Sequence, residues 1–137
     1  MIPKFRVWMK SLKWMCDVTN ISFDSKFVDI CQQGDTERYT EMSVEFDEIT
    51  LMQSTGLKDK NGKEIFEGDI VRQVRTQPIT ENETITGVVI MIEGAWLIMN
   101  DCEQLASYLW SETDENEIIG NVYENTELLE AIKCTQK

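Results

Sequence analysis

A chain of 137 residues, 42% of them apolar and 28% charged, is long enough to bury a sizeable core and needs no metal or disulfide staple to fold. Its formal net charge is −12 and it contains no histidine, which excludes histidine general bases, histidine zinc sites and the usual serine and cysteine triads. No run approaches the roughly 18 apolar residues of a membrane-spanning helix, and the basic start (Lys4, Arg6, Lys10, Lys13) lacks the unbroken apolar stretch of a secretory signal, so a cytoplasmic protein is expected.

Periodicity supplies the elements. Phe5, Val7 and Met9 alternate with Arg6, Trp8 and Lys10, which predicts a strand. Two β-rich runs, 18–23 and 26–31, flank Asp24 and Ser25 and predict a hairpin, whereas 32–41 has no apolar rhythm and reads as a loop. Met42, Val44 and Phe46 alternate again, ahead of the strand-like ITLMQ. Further on, DIVRQVR predicts a strand and QPITENE a polar connection. TGVVIMIEGAWLIMN places two apolar runs around Glu93 and Gly94, the pattern of a hairpin. Its runs are apolar at consecutive positions, which predicts strands covered on both faces and hence self-assembly. Residues 104–110 fit a strand or a helix. EIIGNVYEN predicts a strand interrupted at Gly120, and TELLEAI a short helix capped by Asn125 or Thr126. About eight strands with one or two short helices make a mainly β sandwich or barrel.

Charge is unevenly spread. Residues 1–75 carry 13 acids and 11 bases, whereas residues 76–137 carry 12 acids against Lys133 and Lys137. No Lys or Arg occurs from Thr76 to Ile132, so that part lacks the cations that phosphate contacts require, and direct nucleic-acid binding is not expected. The acidic half is either a solubilising face or a surface aimed at a basic partner. Trp8 and Trp14 stand among the N-terminal cations, but four cations in so acidic a chain make a weak case for a nucleic-acid platform. All four tryptophans, with Trp96 and Trp110, read as packing residues. Cys16, Cys31, Cys102 and Cys134 lie far apart with no C-x-x-C pair, so reduced thiols acting as small apolar fillers are expected, with no metal site and no cofactor.

The stretch GLKDKNGKEIFEGDIV, residues 56–71, invites comparison with a calcium loop or a phosphate cradle. With Gly62 at the sixth position of an EF-hand loop, its first and twelfth positions are Leu57 and Gly68, so essential carboxylates are missing. A P-loop needs a glycine where Leu57 stands and Ser or Thr after Lys63. What remains is turn chemistry. Asp59, Asn61, Glu67 and Asp69 are the candidate turn or binding residues, with Asn61-Gly62 at a hairpin tip and Gly68 in a second reversal. A two-residue tip sets Leu57 opposite Phe66, and leaves Lys60 facing Lys63 and Asp59 facing Glu64.

KFRVW, QSTGLKDKNGKEIFEGDIV and EIIGNVYENTELLE, in this order and spacing, resemble the signatures of the YopX family of phage and prophage proteins across nearly the whole chain. The resemblance implies one unit with an N-terminal strand lobe over about 1–48 and, over about 49–132, an SH3-like barrel ending in a short C-terminal helix. It also implies a bacterial host cytoplasm and a homo-oligomer, but no known activity; residues 25–46 match nothing in it. The expected function is that of a phage-type accessory protein, not an enzyme, that self-assembles and binds a host or phage protein. The alternative is an acidic nucleic-acid mimic that blocks a host DNA-binding protein. A carboxylate-based enzyme is a third reading.

Overall fold

β-rich runs separated by turn residues fold into two antiparallel sheets in a computed structural model that describes residues 4–75, 83–111 and 114–134. The chain divides into two units, Met1–Ser54 and Thr55–Lys137. Among the described residues there are eleven strands and one α-helix, and no helix is long and apolar enough to cross a membrane. The expected polar connection at 77–83 falls almost wholly outside the described residues.

The first unit contains β1 (Phe5–Met9), β2 (Trp14–Ser22), β3 (Phe27–Gln32), β4 (Met42–Glu45) and the start of β5 (Ile49–Lys58), in the order β4-β3-β2-β1-β5. The predicted hairpin is the β2–β3 pair, with Ser22 opposite Phe27 and a register shift between Val18 and Asn20. Alternation puts Val7, Met9, Cys16, Val28, Ile30, Val44 and Ile49 into one core, against which Trp14 and Phe46 pack. Val7, Val28 and Ile30 are at most 1% exposed, and each such burial is worth about 1.5–3 kcal/mol relative to an exposed side chain. The loop between β3 and β4 is ordered by one carboxylate, because Asp35 Oδ2 accepts from both the backbone N–H and the hydroxyl of Thr40, at 2.7 Å each.

The second unit contains the end of β5, β6 (Glu64–Phe66), β7 (Asp69–Val74), β8 (Thr84–Ile92), β9 (Ala95–Asn100), β10 (Leu105–Tyr108), β11 (Glu115–Asn121) and α1 (Thr126–Lys133). β6 pairs with β5, and the other five strands form a sheet in the order β10-β9-β8-β7-β11. The ambiguous segment 104–110 is therefore an edge strand, and the interruption at Gly120 is a register shift between Ile118 and Gly120. Ile65, Val71, Ile85, Val89, Ile98 and Leu109 form the core, with Leu57, Trp96 and Ile118 packed against it.

One expectation changes here. The five-stranded sheet is not closed by a ladder, so the SH3-like barrel of the sequence reading is present only as a mainly β sheet with a short C-terminal helix. Within one chain the β8–β9 hairpin is buried more deeply on one face than on the other. Burial alternates along β8, Ile85, Val89 and Ile98 point into the core, and Ile92 on the opposite face is 38% exposed. Consecutive apolar residues here make one deeply buried face and one half-exposed apolar face.

Gly68 has φ +87° inside a buried turn, where its N–H donates to Val89 O and its carbonyl accepts from Val122 N, both at 3.0 Å. A β-branched side chain cannot take that conformation cheaply, so Gly68→Val is expected to cost about 1–3 kcal/mol and lower the melting temperature by several degrees. Thermal unfolding followed by circular dichroism checks this, and an unmoved melt contradicts it.

Candidate functional site

The most distinctive stretch of the sequence builds two linked turns. Asp59 N–H donates to Lys63 O at 2.8 Å and Gly62 N–H to Asp59 O at 2.9 Å, so the β5–β6 tip is a three-residue loop, Lys60-Asn61-Gly62, with Gly62 at φ +81°. This is the type I turn plus glycine bulge that suits the twist of a hairpin. It corrects the two-residue tip expected from Asn61-Gly62, and the reason is electrostatic as well as geometric. Asp59 now faces Lys63, which removes the like-charge oppositions of the other register.

Asp59 is 7% exposed, and its carboxylate is saturated by backbone donors. Oδ1 accepts from Asn61 N and Lys63 N at 2.9 Å each, and Oδ2 accepts from Ile118 N at 3.1 Å. Lys60 N–H donates to Asn116 O at 2.8 Å, so the tip lies along the outer edge of β11 and occupies groups that the open sheet leaves unpaired. Burial pushes the Asp59 carboxyl up, but the amides of Ile118, Lys63 and Asn61 and the nearby Lys63 charge outweigh it and hold the carboxyl below its ordinary value. Asp69, 2% exposed, accepts from Phe66 N at 2.8 Å and fixes the second reversal, on which Glu67 is half-buried. Asn61 is exposed at the tip. The carboxylates of Asp59 and Asp69 thus act on backbone amides of their own unit, and no group of three or more His, Cys, Asp or Glu placed to hold a metal ion occurs among the described residues.

A buried polar cluster at the open side of the sheet was not foreseen. Gln73 on β7 is fully buried; its Nε2 donates to Tyr108 O at 3.1 Å and Asn116 Oδ1 at 3.0 Å, and its Oε1 accepts from Ser107 Oγ at 2.7 Å. Asn116 Nδ2 donates to Leu109 O at 2.8 Å. Side chains of β7 and β11 therefore bridge to the backbone of β10 and of Leu109, where no ladder closes the sheet. The available signal is the alternation of DIVRQVR, which puts Gln73 on the same inward face as Val71.

Beside the tip lies a cleft of 490 Å³, lined by Leu57, Lys58 and Lys60 from one side of the sequence and by Trp110, Asp114 and Glu115 from the other. Trp110 is 62% exposed, unlike Trp14 and Trp96, which pack on the two cores as expected of them. Within the acidic stretch that has no Lys or Arg, Glu117 is engaged by Arg72 at 2.5 Å and Lys60 at 3.9 Å, Asp114 and Glu115 line the cleft, and Glu112 lies outside the described residues. The N-terminal cations do not make one exposed basic face, because Arg6 is only 5% exposed. Nor are all cysteines free. Cys16 and Cys31 are buried thiols, but Cys102 and Cys134, 32 residues apart, are joined in a disulfide with Cα atoms 4.9 Å apart. The connectivity was invisible because the chain separation carries no pairing information until α1 is docked.

The remaining feature is the outer face of the β8–β9–β10 ladder. Val88, Ile90 and Ile92 are opposite Met99, Leu97 and Ala95, which in turn neighbour Ala106 and Tyr108 on β10. None of these eight residues is charged, and Tyr108 is 68% exposed.

Compared with known proteins, the chain matches a family model described as YopX protein over residues 4–130. It is similar to the crystal structure of protein EF1440 from Enterococcus faecalis, with 32% identity and a TM-score of 0.59, over 94% of this chain and 99% of that one. It shares its fold with the crystal structure of protein yopX from Bacillus subtilis, with 21% identity and a TM-score of 0.56, over 91% and 96% of the two chains. No match was found among curated proteins.

Because Asp59 has a lowered folded value, its contribution to stability is fully present above the unfolded carboxyl value of about 3.9 and is lost as pH falls through the folded one. Asp59→Asn replaces an acceptor by an N–H₂ that faces backbone donors, and is expected to cost about 1–3 kcal/mol at pH 7. The gap between the urea midpoints of the two proteins is expected to shrink between pH 5 and pH 2. A gap that stays constant contradicts the assignment.

Proposed function

The chain belongs to the YopX protein family, and from that premise we propose that it acts as a self-associating, protein-binding accessory module rather than as a catalyst. The phage or prophage setting and the bacterial cytoplasm that the resemblance implies belong to the same reading. So does an SH3-like barrel in the second unit, whose open side the Gln73 and Asn116 side chains bridge in place of a ladder.

The observation that carries the proposal is the charge-free outer face of β8, β9 and β10. In a chain with 13 basic and 25 acidic residues this eight-residue face carries no charge, and its exposed Ile92, Ala106 and Tyr108 suit an uncharged partner better than a charged one. A second copy supplies the matching surface. A two-fold axis through the ladder sets Ile90, Leu97 and Tyr108 against the same residues of the other copy, at the roughly 10 Å spacing of stacked sheets. Glu93 and Asp101, at the two ends of β9, then face acids across the axis. Salt therefore strengthens this association, the opposite of what it does to an acidic surface bound to a basic protein.

A second reading is favoured by a different observation, the absence of any Lys or Arg from Thr76 to Ile132. On it, Asp114 and Glu115 belong to a surface that mimics nucleic-acid phosphates and captures a basic host protein with an affinity that falls steeply with salt. Asp114→Asn with Glu115→Gln then weakens capture and leaves the fold intact.

Multi-angle light scattering at tens of micromolar is expected to give a mass above one 15.9 kDa chain, at least as high in 1 M salt as in 0.1 M. Tyr108→Glu with Ile92→Glu, both at exposed positions, is expected to weaken association at least tenfold while the melting temperature changes little. A monomer at both salt concentrations, or an oligomer untouched by the double variant, rejects this face.

A further inference from the structure

We propose that Cys102 and Cys134 form a thiol-operated clamp that holds the C-terminal half of α1 against its sheet and releases it on reduction. The two cysteines join the β9–β10 turn to the residue that ends α1, and both are exposed to solvent, so a thiol reaches them without unfolding the unit. Cys16 and Cys31 are buried in the first unit, and burial, with the Asp17 charge, pushes the Cys16 thiol up to about 11. Thiol chemistry on the native chain is thus directed to one pair.

The helix needs the clamp. It has eight residues, well short of the roughly 12–15 at which an isolated helix holds in water. Its only buried side chain is Ile132, and it lies against β8 and β11. Its two ends are tied independently. At the start, Asn125 N–H donates to Asn121 O at 3.0 Å and Asn125 Oδ1 accepts from Asn121 N at 3.1 Å, contacts that involve no sulfur. At the end, Cys102 N–H donates to Ile132 O at 2.7 Å, and the disulfide stands beside that bond. Opening the disulfide leaves the first turn anchored and the last turn held by one hydrogen bond and one isoleucine.

Chemically the switch is thiol–disulfide exchange with a small thiol such as glutathione. A thiolate attacks one sulfur, the bond between Cys102 and Cys134 breaks, and the displaced cysteine leaves as a thiolate that takes up a proton. A second thiol attacks the mixed disulfide, frees the other cysteine and leaves as the oxidised small-molecule disulfide. Two electrons pass from the two small thiols to the protein.

The test uses the full chain equilibrated with oxidised glutathione and then with dithiothreitol. Thiol titration in denaturant is expected to find two thiols per chain before reduction and four after it. Hydrogen exchange is expected to speed up at least tenfold at the amides of Ala131 to Cys134 on reduction, with β7, β8 and β9 unchanged, and the melting temperature to fall by roughly 5–10 °C. Cys134→Ser, kept out of oxidised glutathione so that Cys102 carries no mixed disulfide, is expected to show the reduced exchange pattern with or without dithiothreitol. Four thiols after oxidation, an α1 whose exchange does not change on reduction, or a Cys134→Ser protein that still responds to dithiothreitol would each overturn the clamp.

Discussion

A single buried carboxylate, Asp59, sets the register on which the second unit depends. By accepting from two amides of its own turn it fixes the length of the β5–β6 tip, and by accepting from Ile118 it fastens that tip to the edge of β11. Charge-assisted bonds to backbone N–H groups are among the stronger hydrogen bonds in a protein, and here they stand where an open sheet would otherwise present unpaired donors. The two turns of residues 56–71 are therefore one device. The first covers β11, while the second, through Gly68, reaches β8 and the residue after β11.

Gln73 and Asn116 solve the same problem at the other side of the sheet. A polar side chain in a core normally weakens it, yet Gln73 makes bonds from both its amide groups and leaves neither donor nor acceptor idle. A side-chain bridge of this kind allows the strands to curl without the shear that a closed hydrogen-bonded barrel demands. The second unit is in this sense a sheet whose two margins are each finished by amide and carboxylate groups, not by another strand.

Much of this was legible in the sequence, and the misses share a cause. Strict alternation located β1 and β4, two β-rich runs around Asp24 and Ser25 located the β2–β3 hairpin, and the Glu93-Gly94 reversal located β8 and β9, because side-chain period and turn chemistry are local properties. The tip register was missed by one residue. Asn-Gly favours a two-residue turn locally, but the bond from Ile118 to Asp59 spans 59 positions and decides otherwise. Asp59, Asn61, Glu67 and Asp69 were recognised as turn residues, whereas the edge-covering role of Asp59 depends on a strand that the sequence cannot place beside it. The cysteine pairing failed for the same reason, since α1 must dock before Cys134 has a neighbour.

The three-residue tip also bears on which changes of length the chain can absorb. Side chains in a strand alternate between faces, so adding or removing one residue among Lys60, Asn61 and Gly62 slides β6 by one position against β5. Ile65, fully buried, would turn outward and Glu64 inward, while Asp59 would lose the spacing that brings Lys63 to its Oδ1. Side-chain identity at the exposed Asn61 is comparatively free, because its contact is made by its backbone, whereas the Lys60 side chain adds only a 3.9 Å ion pair with Glu117 at the surface. Such a loop can drift in composition while its length stays fixed, the reverse of the usual surface loop, in which insertions are the cheaper change.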